Sequence, residues 1–473
     1  MKMLNGKNND IAVITENDRQ ISYGELDMYC HTFQKRMSPG SLLIIICSNT
    51  LECISGYIGS LMGAHVPLLL GQDTDMDMLF TFLEAYRPGY VWVGKEELVK
   101  ELTGKQHFLN VFEMKKYVLL KTSYEKVTLN PELALLLTTS GTTGNLKTVR
   151  LSKTNLLSNT KSICEYLGIE ESHRAVTTLP VNYTYGLSVI NTHFYRGASI
   201  LLTERSVIDR KFWDSFRKYQ VTSVAGVPYT YELFCRMGLR KMHLPSLRFM
   251  TQAGGALKEK EWTYLSRYSD ENKCRFFVMY GQTEATARMS YLPPEKMKSK
   301  PGSIGNAIPG GRLYVIDEDG QEIDRPYEEG QIVYEGPNVM MGYAVDAGEL
   351  ARGDNQHGKL CTGDTGYYDE EGDFYVTGRI NRFTKIYGKR INLDDVERTL
   401  CKKMGCQAVC IGRRDDIVLI HDGSVDEERT GVRELCDRYG IGRKNIVTIR
   451  SEEIPYTASG KIDYKAAVEK WSL

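Results

Sequence analysis

Leu133-Ala-Leu-Leu-Leu-Thr-Thr-Ser-Gly-Thr-Thr-Gly-Asn-Leu-Lys147 is the stretch that decides how this chain is read. Its first five residues make an apolar run of strand length. The run gives way to a loop with five hydroxyls and two glycines between Thr138 and Gly144. Hydroxyls supply donors, and glycines let backbone approach an anion closely, so polyphosphate is the ligand such a loop fits. A flexible polar turn is the plainer alternative. A Walker A loop is excluded, because Leu146 rather than the closing glycine precedes Lys147. Beyond the loop, Leu156, Thr160, Ile163, Cys164 and Leu167 recur on one helical face, and Gly168 sits where a helix would stop.

Strand, loop and helix repeat on the N-terminal side. Leu42–Cys47 is a continuous apolar run, as a strand covered on both faces would be, and Leu51–Leu61 carries helical spacing up to Gly63. This alternation predicts an α/β fold with mainly parallel strands. On the C-terminal side, from about 306 to 375, Gly-Gly, Asp-Gly, Glu-Gly and Gly-Pro turn signals separate short β-like runs, which predicts a small antiparallel β subdomain. After Arg382 the pattern restarts. Asn392 can cap a helix whose Val396, Leu400 and Met404 face inward, and two strands, a helix and a further strand follow. The expected division is a large domain over 1–380 and a small, mobile α+β domain over 382–473.

Composition narrows the class. A chain of 473 residues exceeds what a single core supports, and 42% hydrophobic with 25% charged residues is ordinary for a globular protein. Sixty Lys+Arg balance sixty Asp+Glu, which gives no support for a nucleic-acid or membrane coat. No apolar run reaches membrane-spanning length, and the start has no secretory pattern. Eleven scattered cysteines fit reduced thiols, and the predicted location is cytoplasmic. The spacing of Cys401, Cys406 and Cys410 is not that of a zinc motif, and packed thiols are expected there.

Thr139-Ser-Gly-Thr-Thr-Gly-Asn-Leu-Lys147 resembles the signature loop of the acyl-adenylate-forming superfamily, which includes acyl- and aryl-CoA ligases, adenylation domains of nonribosomal peptide synthetases and luciferases. It departs from the usual pattern at Leu146 and Thr148, where relatives carry proline and glycine. Further motifs follow in family order: Gly254-Gly-Ala256, Tyr280-Gly-Gln-Thr-Glu-Ala, Thr362-Gly-Asp364, Gly378-Arg379 and Ser459-Gly-Lys461-Ile-Asp. Ser22-Tyr-Gly-Glu-Leu extends a weaker match toward the start.

The resemblance implies roles for these residues. Thr139, Ser140, Gly141, Thr142, Thr143, Gly144 and Lys147 would hold the phosphates of ATP. Tyr280 would stack on adenine beside Gly254, Gly255 and Ala256, Thr283 would contact the adenylate, and Glu284 would bind Mg2+. Asp364 would take both ribose hydroxyls, with Arg379 on ribose or phosphate. Lys461 would be the catalytic cation, a mobile point charge where a carboxylate must approach a polyanion. After adenylation the acyl group would pass to the thiol of CoA or of a carrier protein's phosphopantetheine, with any carrier on a separate chain. The C-terminal domain would rotate between the steps about Asn381, where relatives usually carry Asp or Lys, and Gly388 would line the thiol tunnel.

Tyr183 and Tyr185, in Leu179-Pro-Val-Asn-Tyr-Thr-Tyr-Gly-Leu, resemble the acyl-pocket motif. The Asp that amino-acid-activating relatives use is not evident there, so a small or medium non-amino acid is expected. The leading expectation is an ATP-dependent acid–thiol ligase. The alternatives are a luciferase-like oxygenase and a degenerate nucleotide-binding or regulatory protein, and the joint presence of Glu284, Asp364 and Lys461 weighs against the latter.

Overall fold

The structure is a computed structural model describing residues 3–104, 107–138, 147–386, 389–413, 416–457 and 462–472. The expectations for Thr139–Gly144, Gly388 and Lys461, and for the side chain of Asn381, lie outside the described residues. Contacts within the chain divide it into two units, Met1–Arg312 with Tyr334–Leu360, and Leu313–Val333 with Cys361–Leu473.

The first unit is α/β and is built on two sheets. In the nine-stranded sheet, Ile11–Ile14, Ser199–Leu201, Arg174–Val176, Ser223–Gly226, Phe249–Gln252 and Arg275–Tyr280 run parallel in that order. Antiparallel strands complete both edges. The eight-stranded sheet has a parallel centre, with Leu42–Ile46 lying between Val66–Leu70 and Tyr90–Val93. Every residue of Leu42–Ile46 is buried, so this strand needs apolar side chains on both faces, as its unbroken run predicts. The adjoining helix Leu51–Met62 starts on the side chain of Thr50 and ends at Gly63.

The helix expected after the hydroxyl- and glycine-rich stretch is Lys153–Leu167. Leu156, Thr160, Ile163, Cys164 and Leu167 are buried, and Gly168 caps it in the left-handed region at φ 63°. A strand, Thr148–Ser152, intervenes between loop and helix and pairs antiparallel with Leu133–Thr138. The loop therefore joins two arms of a hairpin. Ser152 ends the second arm and caps the helix in a reciprocal pair with Asn155.

The second unit packs helices Leu393–Met404 and Val425–Asp437 against a three-stranded sheet. Helix Leu393–Met404 is capped by Asn392, closes at Gly405 and buries Val396, Leu400 and Met404. Ala408–Arg413 pairs antiparallel with Asp416–His421, which pairs parallel with Ile446–Arg450. A four-stranded sheet of Arg312–Ile316, Gly330–Glu335, Lys359–Tyr368 and Phe374–Arg379 falls mostly in this unit.

The turn-rich stretch from 306 to 375 differs from its expectation as one subdomain. Asn306–Ala307 joins the nine-stranded sheet and Gly342–Ala344 the eight-stranded sheet, while the remaining strands form the sheet of four. Period-two patterning specifies a strand but not its partner, so short runs read alike whichever sheet receives them. The expected boundary near Asn381 falls inside the second unit.

Candidate functional site

Strand Arg275–Tyr280 turns back into Ser290–Leu292, and the connecting loop carries the Tyr280-Gly-Gln-Thr-Glu motif. Its shape is set at Gly281, where a Cβ would sit 1.8 Å from the Ala287 carbonyl oxygen. No side chain is tolerated at such an approach. Thr283–Ala285 form one 3-10 turn, and Thr286 closes it in the left-handed region at φ 66°. Thr184 Oγ1 donates to the Thr286 carbonyl at 2.6 Å, and Thr286 Oγ1 donates to the Asn338 carbonyl at 2.6 Å. Two hydroxyls thus hold a residue whose own conformation is unfavourable.

Glu284 is positioned from both ends. Its carbonyl accepts from Met340 N at 2.8 Å, and its Oε1 accepts from the Tyr343 hydroxyl at 2.9 Å. Lys147 Nζ lies 3.4 Å from the centre of the Tyr343 ring. Tyr343 therefore joins two residues that the family resemblance assigns to one nucleotide site. Burial and the neighbouring Glu284 carboxylate both raise the Tyr343 phenol pKa, so it stays a donor at neutral pH.

Among the described residues no cluster of three His, Cys, Asp or Glu could cage a metal. A half-exposed carboxylate whose Oε2 has no partner among them suits Mg2+, which is held by one or two carboxylates together with substrate phosphates.

Tyr343 owes its place to Arg150, which is fully buried. Its guanidinium donates to the carbonyls of Tyr343 (3.1 Å), Met341 (2.9 Å), Arg352 (2.5 Å) and Gly353 (3.1 Å). Burial without a carboxylate partner lowers its pKa. Thr148, in place of the usual glycine, is also buried, and its hydroxyl meets Tyr86 Oη at 3.0 Å. Tyr86 in turn donates to the Ala344 carbonyl at 2.7 Å. Arg150 and Thr148 thus tie the strand after the loop to Gly342–Ala344.

Gly254 has φ 91°, and Gln252 Nε2 donates to the Gly255 carbonyl at 2.7 Å, fixing the turn that ends in Ala256. Gln252 Oε1 is buried without a partner among the described residues. Tyr183 and Tyr185 open helix Thr184–Tyr195, with ring centres 6.2 Å apart. The Tyr185 hydroxyl is paired with Thr251 Oγ1 at 2.8 Å. Burial pushes the Tyr185 phenol up to about 12 and raises Tyr183 as well. Arg288 lies over Tyr185, its guanidinium carbon 3.8 Å from the ring centre.

In the second unit Asp364 and Arg379 face each other across a strand pair, with Nε 3.0 Å from Oδ1. Asp364 is buried, while the Arg379 side chain is 58% exposed. Asn381 follows within the single turn Ile380–Arg382.

Three residues escape a reading of the sequence. Arg150 alternates with Val149 and Leu151, and a charged residue in that pattern reads as solvent-facing. Tyr343 and Arg288 sit in short runs with no spacing of their own. Only the fold reveals what they touch.

The pattern of the family described as AMP-binding enzyme matches residues 3–344, and the chain belongs to that family. It is 26% identical to oxalate–CoA ligase of Arabidopsis thaliana over 465 residues, 92% of this chain and 89% of that one. It is 27% identical to 2-succinylbenzoate–CoA ligase of Bacillus subtilis over 473 residues, 96% and 93% of the two chains. Two solved structures share the fold. The o-succinylbenzoate CoA synthetase MenE of Bacillus subtilis, in complex with its acyl-adenylate intermediate, superposes with a TM-score of 0.76 at 22% identity, covering 97% of this chain and 95% of that one. ATP-bound MatB of Rhodopseudomonas palustris gives 0.78 at 19%, covering 98% and 96%.

Proposed function

We propose that this protein is an ATP-dependent acid–thiol ligase working in two half-reactions. A carboxylate oxygen attacks the α-phosphorus of ATP, the bond to the leaving pyrophosphate breaks, and an acyl-adenylate forms. A thiolate sulfur then attacks the acyl carbon, and AMP leaves with the bonding electron pair. The acceptor is the thiol of CoA. A carrier protein's phosphopantetheine presents the same thiol, and supplying CoA or a holo-carrier to the preformed adenylate distinguishes the two.

The observation that carries this reading is the meeting of Lys147 and Glu284 on Tyr343. A cation from the loop and a carboxylate from the next motif serve opposite needs of one polyphosphate: direct pairing, and coordination of its counter-ion. Bound magnesium supplies charge neutralisation on phosphate oxygens, and Glu284 is the residue that would hold it. Lys147 with the loop Thr139–Gly144 binds phosphate, Tyr280 and Gly254–Ala256 bind adenine, and Thr283 contacts the adenylate. Asp364 accepts from the ribose hydroxyls, and Arg379 braces that carboxylate. Lys461 supplies its ammonium to the approaching carboxylate, while Asn381 and Gly388 belong to the thioester half-reaction. Tyr183 and Tyr185 wall the acid. All eleven cysteines are free, which supports a reducing compartment, the cytoplasm. Among the described residues no helix is long and apolar enough to cross a membrane.

Carboxylate-dependent ATP–pyrophosphate exchange tests the reading. Lys461→Ala is expected to reduce exchange by roughly 10²–10³-fold, the scale for one charge-stabilising group, with ATP binding nearly unchanged. Equal losses in both would remove the assigned role. No exchange with any acid, from folded protein with magnesium present, would leave a nucleotide-binding protein instead.

A further inference from the structure

We propose that Arg288 receives a second carboxylate, remote from the reacting one, so that the acid activated here is a dicarboxylic acid. The inference rests on the acyl-adenylating reading above and names its substrate class.

Arg288 is 2% exposed. Its Nε donates to the Met279 thioether at 3.3 Å, a weak acceptor, and its guanidinium lies over the Tyr185 ring. Among the described residues no carboxylate lies within ion-pair distance of it, and no oxygen accepts from its terminal nitrogens. Of the neighbouring phenols, Tyr185 is paired with Thr251 and Tyr166 with Met279.

Arg150 in the same unit shows how this fold satisfies a buried guanidinium that serves structure, by surrounding it with four carbonyls. Arg288 has no such cradle. A buried cation without an anionic partner is costly, and its planar fork of donors matches a carboxylate in two-point contact.

Position supports the same assignment. Met289 N donates to the Tyr280 carbonyl at 2.9 Å, and a Cβ on Gly281 would meet the Arg288 Cα at 2.8 Å. The cation thus stands at the base of the loop whose tip carries Thr283 and Glu284, on the side of Tyr183 and Tyr185. Its own carbonyl accepts from Asn159 Nδ2 at 2.9 Å and from Asn338 Nδ2 at 3.0 Å, so the backbone is pinned before any acid arrives. The reacting carboxylate is the wrong occupant. An oxygen locked in a two-point ion pair is a poor nucleophile, whereas a carboxylate at the far end of the acid loses nothing by being fixed.

The test is ATP–pyrophosphate exchange with α,ω-dicarboxylic acids from malonic to adipic and with phthalic acid, each beside its monomethyl ester. The wild-type enzyme is expected to favour at least one diacid over its ester by roughly 10²-fold or more in kcat/KM, because a site built around a polar partner rejects analogues that lack it. Arg288→Met should abolish that preference while leaving the ester's rate within a few-fold, and Arg288→Lys should fall between. Equal or better use of esters by the wild type overturns the inference, as does an equal fractional loss for diacid and ester in Arg288→Met. Should that variant not fold, the wild-type panel and Arg288→Lys decide. Exchange with neutral acids alone sinks only this inference, whereas no exchange with any acid sinks the ligase reading as well.

Discussion

A single hydroxyl distinguishes Tyr343 from phenylalanine, and that hydroxyl bonds the carboxylate assigned to the metal. Hydrogen bonds to charged groups contribute about 1.5–3 kcal/mol. Tyr343→Phe keeps the ring under Lys147 but frees Glu284, so exchange is expected to need roughly tenfold more magnesium for half-saturation. Tyr343→Leu removes the ring as well and should also weaken pyrophosphate binding. A magnesium titration identical to wild type in Tyr343→Phe would show that the contact positions nothing. Glu284 and Lys147 stand out in the sequence because each sits in a motif. Their shared neighbour does not, because a tyrosine far along the chain acquires meaning only when Gly342–Ala344 pairs with Thr148–Ser152.

Elements were legible where the burial pattern is simple. Leu42–Ile46 and Lys153–Leu167 follow from unbroken and helical apolar spacing together with their stop residues. Thr148–Ser152 was not, since a central arginine and two hydroxyl residues mask a strand whose five residues are all buried. That strand depends on the guanidinium at its centre. Arg150→Met would take a donor from four carbonyls, of which Met341 keeps Asn355 N and Arg352 keeps Asn130 Nδ2, at a cost of about 3–5 kcal/mol, and Arg150→Lys should recover only part because an ammonium lacks the planar fork. Urea denaturation gives the comparison. A methionine variant as stable as wild type would mean that the cradle is dispensable.

At the scale of the whole first unit, stability carries a titration of its own. His193, in helix Thr184–Tyr195, donates from Nδ1 to the Val189 carbonyl at 2.8 Å, and its Nε2 accepts from the Ser223 hydroxyl at 3.2 Å. Burial lowers its pKa to about 4, against about 6.5 for an exposed imidazole. Between those values the unfolded chain takes up a proton that the folded chain refuses, so stability is full above pH 6.5 and falls as pH drops toward 4. The loss reaches about 3 kcal/mol. The urea midpoint should therefore decline more steeply between pH 7 and 4.5 in wild type than in His193→Gln. Parallel slopes would contradict this.

The order in which the chain is synthesised also matters, because the first unit is not finished at Arg312. Its residues Tyr334–Leu360 are made only after Leu313–Val333, which belong to the other unit, and among them is the edge strand Gly342–Ala344. Until that strand leaves the ribosome, Thr148–Ser152 presents an open edge with Arg150 uncovered, the kind of surface that invites nascent chains to associate. Co-translational folding must therefore wait for a late segment, and this is the interval in which a chaperone would have most to protect.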